Sequence, residues 1–147
     1  MSCSRLPVDY GLLRCQRSVK KTVLVVEDEK LIRWSLAQNL ALWGYEPMEA
    51  GDVASAAESA LGRLPDLVLL DLRLPDGNGI ELLRKLRSEH PSIRVIMMTA
   101  HGSPEDALAA MHSGALRFLL KPINMEELRG IVRDALESVD SGPQREH

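Results

Sequence analysis

A chain of 147 residues, 45% hydrophobic and 27% charged, holds enough apolar material for one domain with its own core. Trp34, Trp43, Tyr10, Tyr45 and Phe118 are its only aromatic residues, too few for a platform on which nucleic-acid bases stack, and a net charge of −3 argues against direct binding to a phosphate backbone. The charge is uneven. Residues 1–20 carry Arg5, Arg14, Arg17 and Lys20 against Asp9 alone, so the acidic excess lies in the remainder, and this dispersed basic stretch reads as a solvated tail. Cys3 and Cys15 both fall in it, away from any metal-ligand spacing, as expected of incidental thiols in a reduced compartment. No apolar run has the length of a signal-peptide core or a membrane span, so a cytoplasmic location is expected.

Residues 1–20 show no periodicity and are expected to form an irregular or disordered extension, with structure beginning near Thr22. TVLVV (22–26) is a continuous β-branched run, the pattern of a strand buried on both faces. Ile32, Leu36, Leu40 and Trp43 recur at helical spacing over 29–43, and Gly44 ends that helix. YEPMEA (45–50) is a weak strand whose Pro47 assigns it to a sheet edge. Asp52 caps an Ala-rich helix over 53–62, and LVLL (67–70) is the next buried strand. LRLPDGNG reads as a loop, followed by a helix over 80–89 with Ile80, Leu83 and Leu86 inward, closed by Pro91. IRVIMM (93–98) is the fourth strand. Ser103-Pro104-Glu105-Asp106 is a helix start, and that helix ends near Gly114. ALRFLL (115–120) is the fifth strand. Asn124 and Glu127 pair as a capping box for a last helix burying Met125, Leu128, Ile131, Val132, Ala135 and Leu136, broken by Ser141-Gly142-Pro143.

Five β/α repeats imply a parallel sheet with helices on both faces, and a closed barrel of such units needs more of them. With the weak second strand at an edge, right-handed crossovers give a doubly wound five-stranded α/β sheet of order 2-1-3-4-5, flavodoxin-like, whose ligands bind beyond the carboxyl ends of the strands at the switch between strands one and three. Those ends carry Glu27-Asp28-Glu29, Asp71, Thr99-Ala100 and Lys121-Pro122. Taken singly each residue has a bland reading: Asp28 as a helix cap, Asp71 as a turn residue, Thr99 as a strand end, Lys121 as a surface lysine. Taken together, Glu27, Asp28 and Asp71 with Thr99 and Lys121 put three carboxylates, a hydroxyl and an amine in one crevice. Such carboxylates repel one another unless Lys121 and a divalent cation compensate, and oxygen-only donors favour Mg²⁺ over zinc. His90, His101, His112 and His147 share no ligand spacing, and Ser35 and Ser103 have no paired base.

The segments VLVVEDE (23–29), LVLLDLRLPDGNG (67–79), VIMMTAHG (95–102) and FLLKP (118–122) resemble the receiver domain of bacterial two-component response regulators (CheY-like), over roughly residues 21–138. EDEKLIRWSL and VIMMTAHGS look most like receivers of NtrC-type sigma-54 activators. The resemblance implies that Asp71 accepts a phosphoryl group. It implies Mg²⁺ bound by Glu27, Asp28, Asp71 and the backbone carbonyl of Arg73. Thr99 and Ala100 would bind the phosphoryl oxygens, Lys121 would pair with the acceptor, Phe118 would be the aromatic switch, and Pro122 would follow a cis bond. Partners implied are a sensor histidine kinase or phosphotransfer protein and a downstream protein reached through the helix 4–strand 5–helix 5 face, which is also the candidate homodimer surface. A signalling phosphoprotein that promotes its own phosphorylation and dephosphorylation on Asp is expected, rather than an enzyme with an external substrate. Neither membrane nor nucleic acid is an expected partner. The segment 139–147 reads as a tail or linker, leaving open a single-domain regulator or the receiver of a longer protein.

Three rival readings stand beside this one. A flavin-binding relative of the fold needs a phosphate-cradling loop where Glu27-Asp28-Glu29-Lys30 stands. An aspartyl-phosphate hydrolase needs a second Asp where Arg73 stands. A phosphorylation-independent interaction module is the remaining alternative, although such modules usually lose an acid, the Thr or the Lys.

Overall fold

The computed structural model describes residues 20–137. The expected extension before Lys20, with Cys3 and Cys15, and the tail over 139–147 lie outside the described residues. Thr22–Val26 forms β1, with every residue buried, as a β-branched run covered on both faces requires. It is followed by α1 (Lys30–Leu42), β2 (Glu46–Ala50), α2 (Val53–Gly62), β3 (Leu67–Asp71), α3 (Gly79–Glu89), β4 (Arg94–Thr99), α4 (Pro104–His112), β5 (Arg117–Leu120) and α5 (Met125–Glu137). The strands are parallel in the order β2-β1-β3-β4-β5, the doubly wound arrangement that the alternation implied, with Pro47 on an edge strand.

The helix ends follow the local chemistry. Gly44 closes α1 at φ +98°, a conformation that costs a residue without Cβ little. The Asp52 carboxylate accepts from the Ser55 N–H at 2.8 Å. Ser103 and Asp106 complete a reciprocal capping box with Pro104 in the first turn of α4. At α5 the Asn124 side chain accepts from the Glu127 N–H at 2.9 Å, which is one half of the box expected there. Leu128, Ile131, Val132 and Leu136 are buried on α5, whereas Met125 and Ala135 are only partly covered. Leu82 joins Ile80, Leu83 and Leu86 in the core, widening the buried face of α3. The stretch read as a plain loop contains a small hairpin, in which Arg73–Leu74 pairs antiparallel with Gly77–Asn78.

Strand side chains alternate between the faces, and this period of two sorts the core into two layers. Val23, Val25, Leu67, Leu69, Ile96 and Met98 pack with Leu36 and Leu40 of α1 and Leu128, Val132 and Leu136 of α5. Leu24, Val26, Val68, Leu70, Val95 and Met97 pack with α2, α3 and Ala110 of α4. Each fully buried Leu or Val contributes about 1.5–3 kcal/mol by leaving water. Among the described residues no helix is long and apolar enough to cross a membrane.

Candidate functional site

Register and parity together assemble the site. Val26 pairs with Leu70, so the next residues, Glu27 and Asp71, leave the sheet side by side. Thr99 pairs with Leu120, and the Lys121 N–H donates to the Thr99 carbonyl at 2.8 Å. By alternation Glu27 follows Val23 and Val25, Asp71 follows Leu67 and Leu69, and Lys121 follows Leu119, all on the α1/α5 face. Thr99 follows Val95 and Met97 onto the opposite face, which Phe118 shares. Glu27, Asp28, Asp71, Arg73, Thr99, Ala100, His101 and Lys121 line one cavity of about 310 Å³.

The Lys121 ammonium donates to Glu27 Oε1 at 2.5 Å and to Asp71 Oδ2 at 3.0 Å. The Glu27 side chain is fully buried, with Asp71 at 7% and Lys121 at 14% exposure, so these charges depend on one another rather than on water. Burial pushes the Glu27 carboxyl above the ordinary carboxylate range. The hydrogen bonds from Lys121 and from the Glu29 N–H oppose that rise, and the Asp71 charge adds to it. Burial alone pulls Lys121 down, but its hydrogen bonds to Glu27 and Asp71 and their charges win, holding it above the ordinary lysine value and fully charged at neutral pH. Asp71 Oδ1 accepts from the Arg73 N–H at 3.2 Å. Thr99 is buried, and its oxygen accepts from the His101 N–H at 3.2 Å. A Cβ on Gly102 would lie 2.8 Å from two ring atoms of Phe118 and 2.8 Å from the Thr99 methyl, so both groups border the space that the missing side chain leaves. The Lys121–Pro122 peptide bond is cis.

Glu27, Asp28 and Asp71 each offer a carboxylate oxygen within 4.8 Å of the others, with Asp28 exposed to solvent. With one amine among three carboxylates, this hard-oxygen donor set fits a divalent cation such as Mg²⁺.

Two residues that the sequence reading passed over support this geometry. Asp76 spans to α2, Oδ1 accepting from the Val53 N–H at 2.7 Å and Oδ2 from the Ala54 N–H at 3.1 Å, which fastens the loop after Asp71 to a helix start. The Asp-Gly dipeptide marks a turn, but nothing local shows which helix it caps. Arg33 donates to the Glu27 carbonyl at 2.7 Å. His101, read as a loop residue, stands in the cavity wall.

The response regulator receiver domain model matches residues 23–133. The chain belongs to this family. The receiver is 39% identical over 128 residues to the probable transcriptional regulatory protein TcrX of Mycobacterium tuberculosis, covering 84% of this chain and 55% of that protein. It is 40% identical over 118 residues to the response regulator protein PilR of Pseudomonas aeruginosa, covering 80% and 26%. The chain therefore spans about half or less of the length of these curated relatives. Among solved structures, a CheY-like receiver domain protein from Methanospirillum hungatei superposes with a TM-score of 0.81 at 29% identity, covering 84% of this chain and 99% of that one. The NtrX receiver domain from Brucella abortus gives 0.74 at 36% identity, covering 79% and 98%, in keeping with the NtrC-type look of the sequence.

Proposed function

We propose that Asp71 accepts a phosphoryl group from a phosphohistidine of a sensor histidine kinase or phosphotransfer protein, within a receiver domain spanning residues 21–138. The observation that carries this reading is the Lys121 ammonium shared between Asp71 and the buried Glu27 at the carboxyl ends of β1, β3 and β5. An Asp71 carboxylate oxygen attacks the phosphorus in line, forming a P–O bond as the P–N bond to the donor histidine breaks. Glu27, Asp28, Asp71 and the backbone carbonyl of Arg73 would hold Mg²⁺, which when bound offsets negative charge on the phosphoryl oxygens. Lys121 follows the charge from the acceptor carboxylate to the phosphoryl group. The Thr99 hydroxyl accepts from His101 and retains its own proton to donate to a phosphoryl oxygen, beside the Ala100 backbone N–H. Because Thr99 and Phe118 both border the space over Gly102, a shift of Thr99 would open room for the ring. That biases the α4–β5–α5 surface, through which a downstream protein or a second copy would read the state.

A cleft beside the acceptor cavity would seat the phosphodonor protein. An apolar cleft of about 300 Å³, lined by Leu31, Ile32, Leu36, Pro122, Ile123 and Met125, adjoins the acceptor cavity and shares Lys121 with it. Leu31 at its rim is 73% exposed. This reading makes the chain a cytoplasmic signalling phosphoprotein rather than an enzyme acting on a separate substrate. The test is intact-protein mass spectrometry after incubation with Mg²⁺ and acetyl phosphate. A gain of one phosphoryl mass, abolished by EDTA and by Asp71→Asn, is expected; unchanged uptake in Asp71→Asn overturns the assignment.

A further inference from the structure

Asp28 is the exposed member of the carboxylate cluster, so its position depends on the peptide that carries it. The chain there is tied at two successive peptide planes. The Glu27 N–H donates to the Ala50 carbonyl at 3.0 Å, and the Glu27 carbonyl, which belongs to the peptide plane joining Glu27 to Asp28, accepts from Arg33 Nη1 at 2.7 Å. The same guanidinium donates through Nε to Glu49 Oε1 at 3.2 Å, and the Arg33 side chain is 18% exposed. It runs close against Gly51: a Cβ there would lie 3.0 Å from Nη1 and 3.8 Å from Cζ. One side chain from α1 thus links the end of β1 to the end of β2, in a channel that stays open because residue 51 has no side chain. A planar fork of donors suits this task, since it reaches two acceptors in different directions from one rigid group.

We propose that Arg33 is a positioning residue for the cation site, fixing the Glu27–Asp28 peptide plane so that the Asp28 carboxylate faces Glu27 and Asp71, with Gly51 giving it clearance. The inference rests on the reading of these carboxylates as the Mg²⁺ ligands. Position and charge make opposite demands, which separates them. Removing a nearby positive charge by itself strengthens cation binding, whereas losing the hold on the peptide weakens it. Arg33→Lys and Gly51→Ala both keep the charge. The lysine cannot reach both acceptors, and the alanine methyl displaces the guanidinium.

The test is isothermal titration of each purified protein with MgCl₂ at constant pH and ionic strength, with thermal unfolding in EDTA as a check on the fold. Arg33→Lys is expected to weaken Mg²⁺ binding by about 10-fold, the lower end for groups that orient metal ligands. Gly51→Ala is expected to give a smaller loss in the same direction. The double variant is expected to be no worse than Arg33→Lys, because both changes break one contact. Either variant suffices if the other fails to fold. Wild-type binding with unchanged affinity in the folded charge-preserving variants overturns the inference alone. A wild type that takes up no Mg²⁺ overturns the cation-site reading and this inference with it.

Discussion

Replacing Asp71 by Asn should make the metal-free domain more stable while removing the acceptor. The carboxylate oxygens of Glu27, Asp28 and Asp71 lie within 4.8 Å of one another, and Lys121 stands 3.0 Å from Asp71. At an effective dielectric constant near 20, each like-charge pair involving Asp71 costs about 3 kcal/mol and the ion pair with Lys121 returns about 5 kcal/mol. Removing the Asp71 charge deletes two repulsions that together outweigh the one ion pair by about 1–2 kcal/mol. An Asn keeps one acceptor oxygen, which can serve Lys121 on the Oδ2 side, while its NH2 cannot accept from the Arg73 N–H; the loss of that 3.2 Å bond offsets part of the relief of repulsion. Urea unfolding in EDTA should show Asp71→Asn more stable by up to that amount, or a midpoint raised by about 4 °C per kcal/mol on heating. In saturating Mg²⁺ the gap should close or reverse, because the wild type gains more from the cation, about 2.7 kcal/mol at a hundredfold excess over its dissociation constant. An Asn variant less stable than wild type in EDTA, or a gap indifferent to Mg²⁺, would refute the charge argument.

Three further outcomes follow from the packing and caps. Gly79→Ala places a methyl against the Asp71 carbonyl and the Leu72 backbone; it should lower the unfolding midpoint and weaken phosphoryl uptake together, measured by thermal unfolding and by mass spectrometry. Ser103→Ala removes the side-chain half of the α4 capping box and should cost about 1 kcal/mol in urea unfolding, with phosphoryl uptake retained. Tyr45 is held above the ordinary tyrosine value of 10.0 by burial first and by its neighbour Glu137 next, its hydroxyl donating to Glu137 Oε2 at 3.2 Å. Its neutral form is the favoured one in the fold, so its contribution to stability is complete below that value and is lost as pH rises through the elevated one. Phenolate absorbance in a Tyr10→Phe background should rise later than for free tyrosine, and Glu137→Gln should bring the rise earlier.

Much of this molecule was legible in its sequence because its strongest signals are local. The buried runs of β1, β3 and β4, the Pro47 edge strand, and the Ser103 and Asp52 caps each follow from a few adjacent residues. The grouping of Glu27, Asp71, Thr99 and Lys121 followed once strand order was set, since all four stand at carboxyl ends. What stayed hidden depends on where side chains arrive after folding. Arg33 reads as one more polar residue of an amphipathic helix, and only the packing of α1 on β1 and β2 brings it to the Glu27 carbonyl. Asp76 caps a helix that precedes it by more than twenty residues. The short hairpin of Arg73–Leu74 with Gly77–Asn78 is too brief for any periodicity to register. Met125 and Ala135 keep the helical spacing of α5 but sit at the margin of its covered stripe, where period alone does not measure depth.

The alternation that puts Lys121 on the side of Glu27 and Asp71 also makes the site intolerant of one kind of change. Deleting or inserting a single residue within β5 would turn Lys121 to the opposite layer and aim an apolar neighbour at the two carboxylates, however conservative the altered residue. Side-chain substitutions in that strand are graded in effect, whereas a change in its length is all or none. Length variation tolerated by this domain should therefore fall in its loops, and its strands should behave as fixed-length rulers.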